Sequence, residues 1–318
     1  MIIAVTGGTG FIGRRLVARH RAMGDEVRYL TRKTPPAGAA GAGAIVGDLT
    51  SPAAQLRTFA DGADVLYHCA AELRNEPQMH DTNVVGTANL LAAAQGRVGR
   101  WVQLSSTGVY GHGRRTSAEV LEDTPVQPAN TYEISKEAAD RLVCDAAVAQ
   151  HMSCVIVRPT NVYGPDMPNQ SLFQLIRVID RGQFFFIGRS KAIANYVHVE
   201  NVLDALIRCA TSDLPGNART YIVSDYRELR DFVGIMAAAL GRPPPRATLP
   251  ESLARMAAAI GTIVPRFPLS ASRVDALTDT TVYRSQRIEM ELGFENRISM
   301  EEGIGELVHH WRRGLHGG

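Results

Sequence analysis

Met1-Ile2-Ile3-Ala4-Val5-Thr6-Gly7-Gly8-Thr9-Gly10-Phe11-Ile12-Gly13 decides how the chain is read. An apolar run enters a cluster of glycines, and Phe11–Met23 continues at helical spacing, with Phe11, Ile12, Leu16 and Val17 interrupted by arginines. Strand, glycine turn and helix in direct succession are what a phosphate-binding βα unit requires. Gly7 and Gly8 permit the tight turn, Gly10 lets the backbone approach a pyrophosphate, and Gly13 lets the helix pack on the sheet. The helix N-terminus then offers free N–H groups and a positive dipole end to an anion.

Outward from this unit the pattern repeats. Glu26–Thr31, Ala44–Val46, Asp64–His68, Arg100–Ser105 and Ser153–Val157 read as strands, and Asn83–Gln95 and Thr131–Gln150 as helices. Such alternation implies parallel βαβ units with right-handed crossovers, hence an α/β, doubly wound Rossmann sheet over residues 1–165. Thr34–Gly43, rich in Pro, Gly and Ala, reads as a loop. After Pro159 the rhythm breaks. Ser171–Arg181 and Val202–Cys209 read as helices, Phe184–Ile187 and Tyr196–Val199 as strands, and Arg242–Arg246 as a stiff linker. Ser299 and Glu302 have capping-box spacing and open a last helix to about Trp311. Residues 166–318 are therefore expected to form mainly a smaller substrate-binding α/β lobe, with a return to the first domain around 196–225.

Composition removes other classes of function. The chain has 318 residues, 45% hydrophobic and 21% charged, with a formal net charge of +2. That balance, without a run of Lys and Arg, excludes a nucleic-acid partner. No apolar run reaches about 18 residues, so no membrane span is expected. Leu253–Val264 is apolar but short and reads as a core or substrate-lid helix. The N-terminus has no charged segment before its apolar run, so no signal peptide is expected and the location expected is cytoplasmic. Cys69, Cys144, Cys154 and Cys209 lack metal-ligand spacing and read as buried free thiols. His309-His310 reads as a solvated helix face, and no metal site is expected.

The second strand should end on Asp or Glu if the cofactor is NAD. It ends Leu30-Thr31-Arg32-Lys33 instead. Two cations suit a 2′-phosphate, with Arg32 able to fork onto its oxygens, so NADP is expected, with NAD the alternative. Asp48 is placed to accept a hydrogen bond from the adenine amine.

Tyr132 and Lys136 lie one helical turn apart on one face. A free tyrosine, with pKa about 10, is a poor base, and lowering it toward neutrality needs about 4 kcal/mol. A neighbouring ammonium is expected to supply much of that. Ser105 and Ser106 close the fifth strand at its carboxyl edge, where open α/β sheets bind ligands.

Together with Thr6-to-Gly13 and Tyr132–Lys136, several further segments carry a resemblance: Asp48-Leu49, His68–Ala71, Asn83–Thr87, Leu104–Gly111, Arg158–Pro165, Tyr196–Val202 and Glu291–Phe294. Spread in order over nearly the whole chain, they resemble the extended short-chain dehydrogenase/reductases of the NAD-dependent epimerase/dehydratase family. The resemblance implies a cofactor surface of Gly7, Gly10, Phe11, Ile12, Gly13, Arg32, Lys33, Asp48, Leu49, Ala70, Ala71, Asn83, Ser105, Tyr132, Lys136 and Pro159. It implies a substrate surface of Ser106, Thr107, Asn161, Phe186 and Asn195. Tyr132 would be the acid/base, Lys136 would hold the nicotinamide ribose and tune Tyr132, and Ser106 would bind the reacting oxygen.

Departures from the family pattern narrow the chemistry. Dehydratases carry Asp-Glu where this chain has Thr107-Gly108, so loss of water has no evident catalyst. Epimerases acting beside a ketone carry Cys and His where Gly108 and Asp166 stand. Simple redox at one carbon survives. The expectation is an NADP-dependent sugar-nucleotide 4-epimerase or ketoreductase acting on a small molecule. The alternative is a hydroxysteroid- or flavonol-type dehydrogenase, with a non-catalytic dinucleotide sensor third. Sugar-nucleotide epimerases often carry Arg before the Asp-Tyr that leads to the His198 position; here Ala194-Asn195 stands there, with Arg189 or Lys191 as substitutes for a diphosphate clamp. The family also implies a homodimer built on Asn83–Gln95 and Thr131–Gln150.

Overall fold

In chain order the first half runs β1 (Ile2–Thr6), α1 (Gly13–Ala22), β2 (Glu26–Thr31), β3 (Ala44–Val46), α2 (Ala53–Ala60), β4 (Ala63–His68), α3 (Glu76–His80), α4 (Gly86–Ala94), β5 (Val98–Leu104), β6 (Glu119–Val120), α5 (Thr131–Ala149) and β7 (Ser153–Pro159). It continues with β8 (Asn161–Tyr163), α6 (Ser171–Asp180), β9 (Phe186–Ile187), β10 (Ile193–His198), α7 (Val199–Thr211), β11 (Ala218–Val223), β12 (Asp225–Glu228) and α8 (Leu229–Leu240). Last come β13 (Thr248–Leu249), α9 (Glu251–Gly261), α10 (Ala271–Thr278), β14 (Val282–Tyr283), α11 (Gln286–Leu292) and α12 (Met300–His316). This computed structural model describes all residues except 36–37, 39–40, 112–118, 150, 189–190, 215–216, 262–269 and 317–318.

The main sheet has the order β11-β7-β5-β4-β1-β2-β3. Its strand pairs are all parallel. The chain winds outward from β1 through β2 to β3, then returns past β1 to β4. The switch point between β1 and β4 opens a crevice at the carboxyl ends of the strands. Alternation along each strand builds two cores. Ile3, Val5, Val65 and Tyr67 face α1 and α7 with Leu16, Val202 and Leu206. Ala4 and Leu66 face the other way, toward Leu56, Leu90, Trp101 and Val143 of the α2, α4 and α5 side.

A second lobe stands over the carboxyl edge. Its three-stranded sheet β12-β10-β8 and the helices α6, α8 and α12 enclose Phe173, Ile176, Phe232, Met236, Ile304 and Leu307. β11 pairs with β7 at the edge of the main sheet.

Several boundaries differ from the sequence expectation. α1 begins at Gly13, because Phe11 and Ile12 are spent in the turn. The helix expected from Asn83 starts as α3 at Glu76 and passes through a π-helical turn over Asp81–Val85 before α4. Only Phe186–Ile187 of the phenylalanine run is paired as strand. The capping box is present: Glu302 N–H donates to Ser299 Oγ at 3.2 Å and Ser299 N–H to Glu302 Oε2 at 3.0 Å. Part of Leu253–Val264 lies in α9, and its end falls outside the described residues. Among the described residues no helix is long and apolar enough to cross a membrane, and no cluster of metal-ligating side chains occurs. All four cysteines are free, with Cys154 and Cys209 buried and Cys69 and Cys144 partly so. His309 is exposed as expected, whereas His310 is half-buried, 3.6 Å from Asp166.

Two histidines are buried in their neutral form. His68, at the end of β4, sits 2.7 Å from Thr6 Oγ1 and 2.9 Å from Thr87 Oγ1. His198, at the end of β10, has both ring nitrogens buried without hydrogen bonds. Burial depresses their pKa values to about 3 and about 4. Histidine in the unfolded chain titrates near 6.5. The unfolded state therefore binds protons first as pH falls, and stability present above pH 6.5 is lost toward pH 4. At pH 5 each histidine is expected to cost about 2 kcal/mol. Melting curves taken from pH 7 to pH 5 should fall by several degrees; a flat profile would mean that the folded state accepts these protons.

Candidate active site

The crevice is built first by what glycine allows. Gly7 adopts φ +67, where a Cβ would lie 2.8 Å from Ala70 N. A Cβ on Gly13 would lie 2.2 Å from Gly7 O, so α1 starts against the turn only because both residues lack one. The first turn of α1 has no acidic residue and no side-chain cap. Arg14, Arg15 and Leu16 N–H turn back to the Gly10 and Ile12 carbonyls, so among the described residues the N–H groups of Phe11, Ile12 and Gly13 are the ones left for an anion, which fits a dinucleotide pyrophosphate. Phe11 lies under the Arg15 guanidinium, 4.5 Å from its ring centroid, and Arg15 also donates to the Pro165 carbonyl at 2.7 Å. The turn is thereby pinned to the chain leaving β8.

At the end of β2, Arg32 and Lys33 are both exposed. Arg32 Nε lies 3.8 Å from Asp48 Oδ2. Asp48 Oδ1 is already used, accepting from Thr50 N–H and Thr50 Oγ1 at 3.1 Å. The oxygen of Asp48 not taken by Thr50 is the one that faces Arg32. Leu49 is buried beneath, where a Cβ on Gly86 would meet it.

Tyr132, Ser106 and Lys136 converge beyond β5. Ser106 N-caps a 3-10 turn over Thr107–Tyr110, accepting Gly108 N–H at 3.1 Å, and its hydroxyl is close enough to the Tyr132 phenol to favour the phenolate. Lys136 is 2% exposed and donates to the Leu104 carbonyl at 2.7 Å. One expectation fails here. Lys136 does not pull the phenol toward neutrality: Tyr132 is pushed up to about 12 by burial, then by Asp140 and Glu133. Desolvating a phenolate beside two carboxylates outweighs the nearby ammonium, so the phenol keeps its proton at neutral pH.

Several residues expected on the cofactor or substrate surface are committed inside the protein. Asn83 accepts Glu72 N–H through Oδ1 and donates to Glu72 O and Ser135 Oγ through Nδ2, so its amide is fully engaged as a clamp. Ser105 Oγ donates to Asp140 Oδ2 at 2.8 Å, turning away from the crevice. Thr107 Oγ1 donates to the Pro159 carbonyl at 3.3 Å and is buried. Asn195 is buried, with Nδ2 donating to Thr281 O, and so ties β10 to the segment before β14. Asn161 stays exposed, with Nδ2 donating to Asn195 O. Ala70 N–H donates to Thr6 Oγ1 at 3.2 Å, and Ala70 and Ala71 remain partly exposed along the crevice wall.

Phe186 is both core and lining. It packs edge-on to Phe184 at 5.0 Å and beneath Arg230 at 4.3 Å. It also lines a cavity of ≈210 Å³ with Ile187, Lys191, Glu228, Leu229 and Leu277. Ala194 is buried in the lobe core. Arg189 lies outside the described residues.

Two groups escaped sequence reading. Asp140 accepts Arg158 Nε and Nη2, both at 3.0 Å, and Arg158 Nη1 donates to Tyr110 Oη at 2.9 Å. Its signal was a charge four residues beyond Lys136 on a buried face. Glu72 accepts three successive N–H groups, of Leu73, Arg74 and Asn75, and so shapes the loop after β4. Nothing in its sequence context marks it.

The family model of the NAD dependent epimerase/dehydratase family matches residues 3–224. The chain is 30% identical over 320 residues to the 4-hydroxy-2-methyl-3-oxo-4-farnesyl-3,4-dihydroquinoline-1-oxide ketoreductase of Stigmatella aurantiaca, covering 95% of this chain and 94% of that one. It is 26% identical to a UDP-glucose 4-epimerase of Vibrio cholerae, covering 96% and 94%. The solved structure of MoeE5 in complex with UDP-glucose and NAD superposes with a TM-score of 0.72 at 26% identity, covering 99% of both chains. A Rossmann sheet, a glycine turn fit for a dinucleotide and a match over most of the chain agree: the protein belongs to the NAD-dependent epimerase/dehydratase family of extended short-chain dehydrogenase/reductases.

Proposed function

We propose that the chain is an NADP-dependent ketoreductase acting at a single carbon, with Tyr132 as proton donor. The observation that carries this reading is the convergence of the Ser106 hydroxyl, the Tyr132 phenol and, one helical turn on, buried Lys136, with burial keeping the phenol protonated. A dinucleotide held at the Gly7–Gly13 turn would supply the hydride for reduction. Ser106 holds the substrate oxygen. On reduction, charge developing on the carbonyl oxygen would be met by the Tyr132 proton, and the Tyr132 phenolate would then recover a proton from solvent. Donation from positioned groups to developing charge is where such a site gains its rate. Lys136 stabilises the transient phenolate.

Water loss is disfavoured by space as well as by residue type. A Cβ at Gly108 would stand 3.2 Å from Glu133 Cγ, and Glu133 Oε2 is held by Ala129 N–H at 2.8 Å. Asp166, where other epimerases carry histidine, is exposed among Arg14, Arg15 and His310.

For the substrate, a ketone with an apolar body fits best, because buried Ala194 offers no cation for a diphosphate. The resemblance to the farnesyl-dihydroquinoline oxide ketoreductase supports this. A nucleotide sugar is the second reading, favoured by Lys191 and Arg230 at the rim of the lobe cavity. With NADPH present, a panel of steroid, flavonoid and long-chain 3-oxo ketones is expected to yield turnover, and UDP-, GDP- and dTDP-sugars none. Turnover of a sugar nucleotide alone would transfer the assignment to the second reading. On whichever substrate turns over, Tyr132→Phe is expected to abolish reduction with cofactor affinity nearly unchanged. Activity within about tenfold of wild type would assign the proton to another group.

NADP preference rests on Arg32 and Lys33. A well-placed hydrogen bond from Arg to phosphate is worth roughly 1.5–3 kcal/mol. Because Arg32 is 69% exposed, the lower end applies, about a tenfold preference. Arg32→Ala should erase most of it while NAD(H) binds as before. Titrations of both cofactors on wild type and variant decide; equal wild-type affinities would reverse the assignment.

A homodimer through α4 and α5 is part of the same reading. Val85, just before α4, and Ile134 and Val148 of α5 are exposed by 39%, 53% and 73%. Light scattering is expected to give about twice the 34.5 kDa chain mass, and a monomer would remove this assignment.

A further inference from the structure

Asp140 is a buried carboxylate on α5, one turn beyond Lys136. Three donors converge on its Oδ2: Ser105 Oγ at 2.8 Å, and Nε and Nη2 of Arg158 at 3.0 Å each. Oδ1 is buried with no hydrogen-bond partner among the described residues. A carboxylate serving only Arg158 would meet the guanidinium fork with both oxygens. Here one oxygen takes every bond and the other keeps its charge bare in a medium where that is costly.

Lys136 shows the complementary deficit. Its ammonium has three donors and is buried, yet Leu104 O at 2.7 Å is its one hydrogen-bond partner among the described residues. A carbonyl dipole does not neutralise a buried cation. The titratable groups around it are Tyr132 and Asp140 on its own helix, and His68 and Cys69 at the end of β4. Arg158 of β7 stands behind Asp140, and Glu133 lies beside Tyr132. His68 is neutral, and burial pushes Cys69 up to about 12, so neither supplies a counter-charge. Glu133 is engaged at the helix start.

We propose that Asp140 is a positioning residue, its charge keeping the Lys136 ammonium protonated and held at the edge of β5 beside Tyr132. This rests on the catalytic reading given above. Burial lowers the Lys136 pKa, and Asp140 is the largest influence opposing that loss. Arg158, paired with Asp140 Oδ2, neutralises part of the Asp140 charge and so sets how much of it Lys136 feels. The reacting site thus contains Tyr132, Lys136, Asp140 and Arg158 as one electrostatic unit.

The chain has three lysines, Lys33, Lys136 and Lys191, so lysine labelled with 13C at Cε gives three resonances. The Lys136 signal is the one lost in Lys136→Arg. In wild type its titration midpoint is expected well above pH 7; a midpoint below 7 overturns the proposal. Asp140→Asn should lower the midpoint by about one unit or more, as loss of an adjacent opposite charge does. Asp140→Glu should keep it near wild type, and Arg158→Met should raise it by freeing Asp140 charge. A midpoint unmoved in Asp140→Asn would reduce Asp140 to packing against Arg158. If that variant does not fold, the wild-type midpoint and Arg158→Met decide in the same sense. Tyr132→Phe turnover tests the catalytic reading separately. A fully active Tyr132→Phe removes that reading, whereas an inactive one with an unshifted Lys136 removes only the role of Asp140.

Discussion

One run of hydrogen bonds carries the geometry of the glycine turn to the helix that bears Tyr132. Ala70 N–H donates to Thr6 Oγ1, and Thr6 lies 2.7 Å from His68 Nδ1. His68 Nε2 meets Thr87 Oγ1, which donates to Asn83 O at 2.6 Å. The Thr87 proton is therefore spent, so His68 must donate through Nε2 and accept through Nδ1. Asn83 then donates to Ser135 Oγ, which donates to the Tyr132 carbonyl at 2.8 Å. Each hydroxyl has one proton, so the run has one direction and fixes one tautomer. Charging His68 would remove the acceptor that Thr6 Oγ1 uses among the described residues. The neutral histidine is thus a condition for the register between β1, α4 and α5, and so for the distance between cofactor turn and phenol.

The second constraint is charge in a dry place. α5 brings Tyr132, Glu133, Lys136 and Asp140 to one side of the sheet edge, and β7 adds Arg158. Glu133 shares the helix start with the Asn130 side chain, which accepts Glu133 N–H at 3.0 Å. Its burial next to Ser106 is therefore a by-product of capping with an electrostatic consequence. Two carboxylates and desolvation hold the Tyr132 proton in place. A phenol kept protonated is a proton donor, which is the role a reductase needs and a dehydrogenase must first undo.

Much of this was legible in the sequence, and the reason is local. The glycines between β1 and α1, the four-residue step from Tyr132 to Lys136 and the Ser299–Glu302 box are set by chain geometry over a few residues. The doubly wound parallel sheet followed from alternation of strands and helices with right-handed crossovers. What escaped depends on long-range burial. Asn83 reads as a cofactor contact, but its role is fixed by Glu72 and Ser135, residues 11 and 52 positions away. Asn195 reads as a substrate residue, yet its partner is Thr281. The pKa of Tyr132 could not be read from its neighbour Lys136 alone, because desolvation is a property of the folded site.

The substrate lobe follows the same logic. At the end of β10 the chain commits Asn195 to Thr281 and buries Ala194 in the lobe core, so this strand offers its site no free cation. The cations that remain near the cavity, Lys191 and Arg230, are exposed, and Arg230 lies over the Phe186 ring. An arginine stacked on an aromatic ring covers apolar surface with its stem and keeps its head in water. A lysine 85% exposed and 3.9 Å from Glu228 gains little by pairing. Neither is desolvated enough to grip a diphosphate as a buried arginine would. The same ring and the apolar Ile187, Leu229 and Leu277 offer area to a hydrophobic body at no cost in unpaired charge. On the reading proposed above, polar recognition falls to Ser106 and Tyr132, and the lobe cavity is left to read shape.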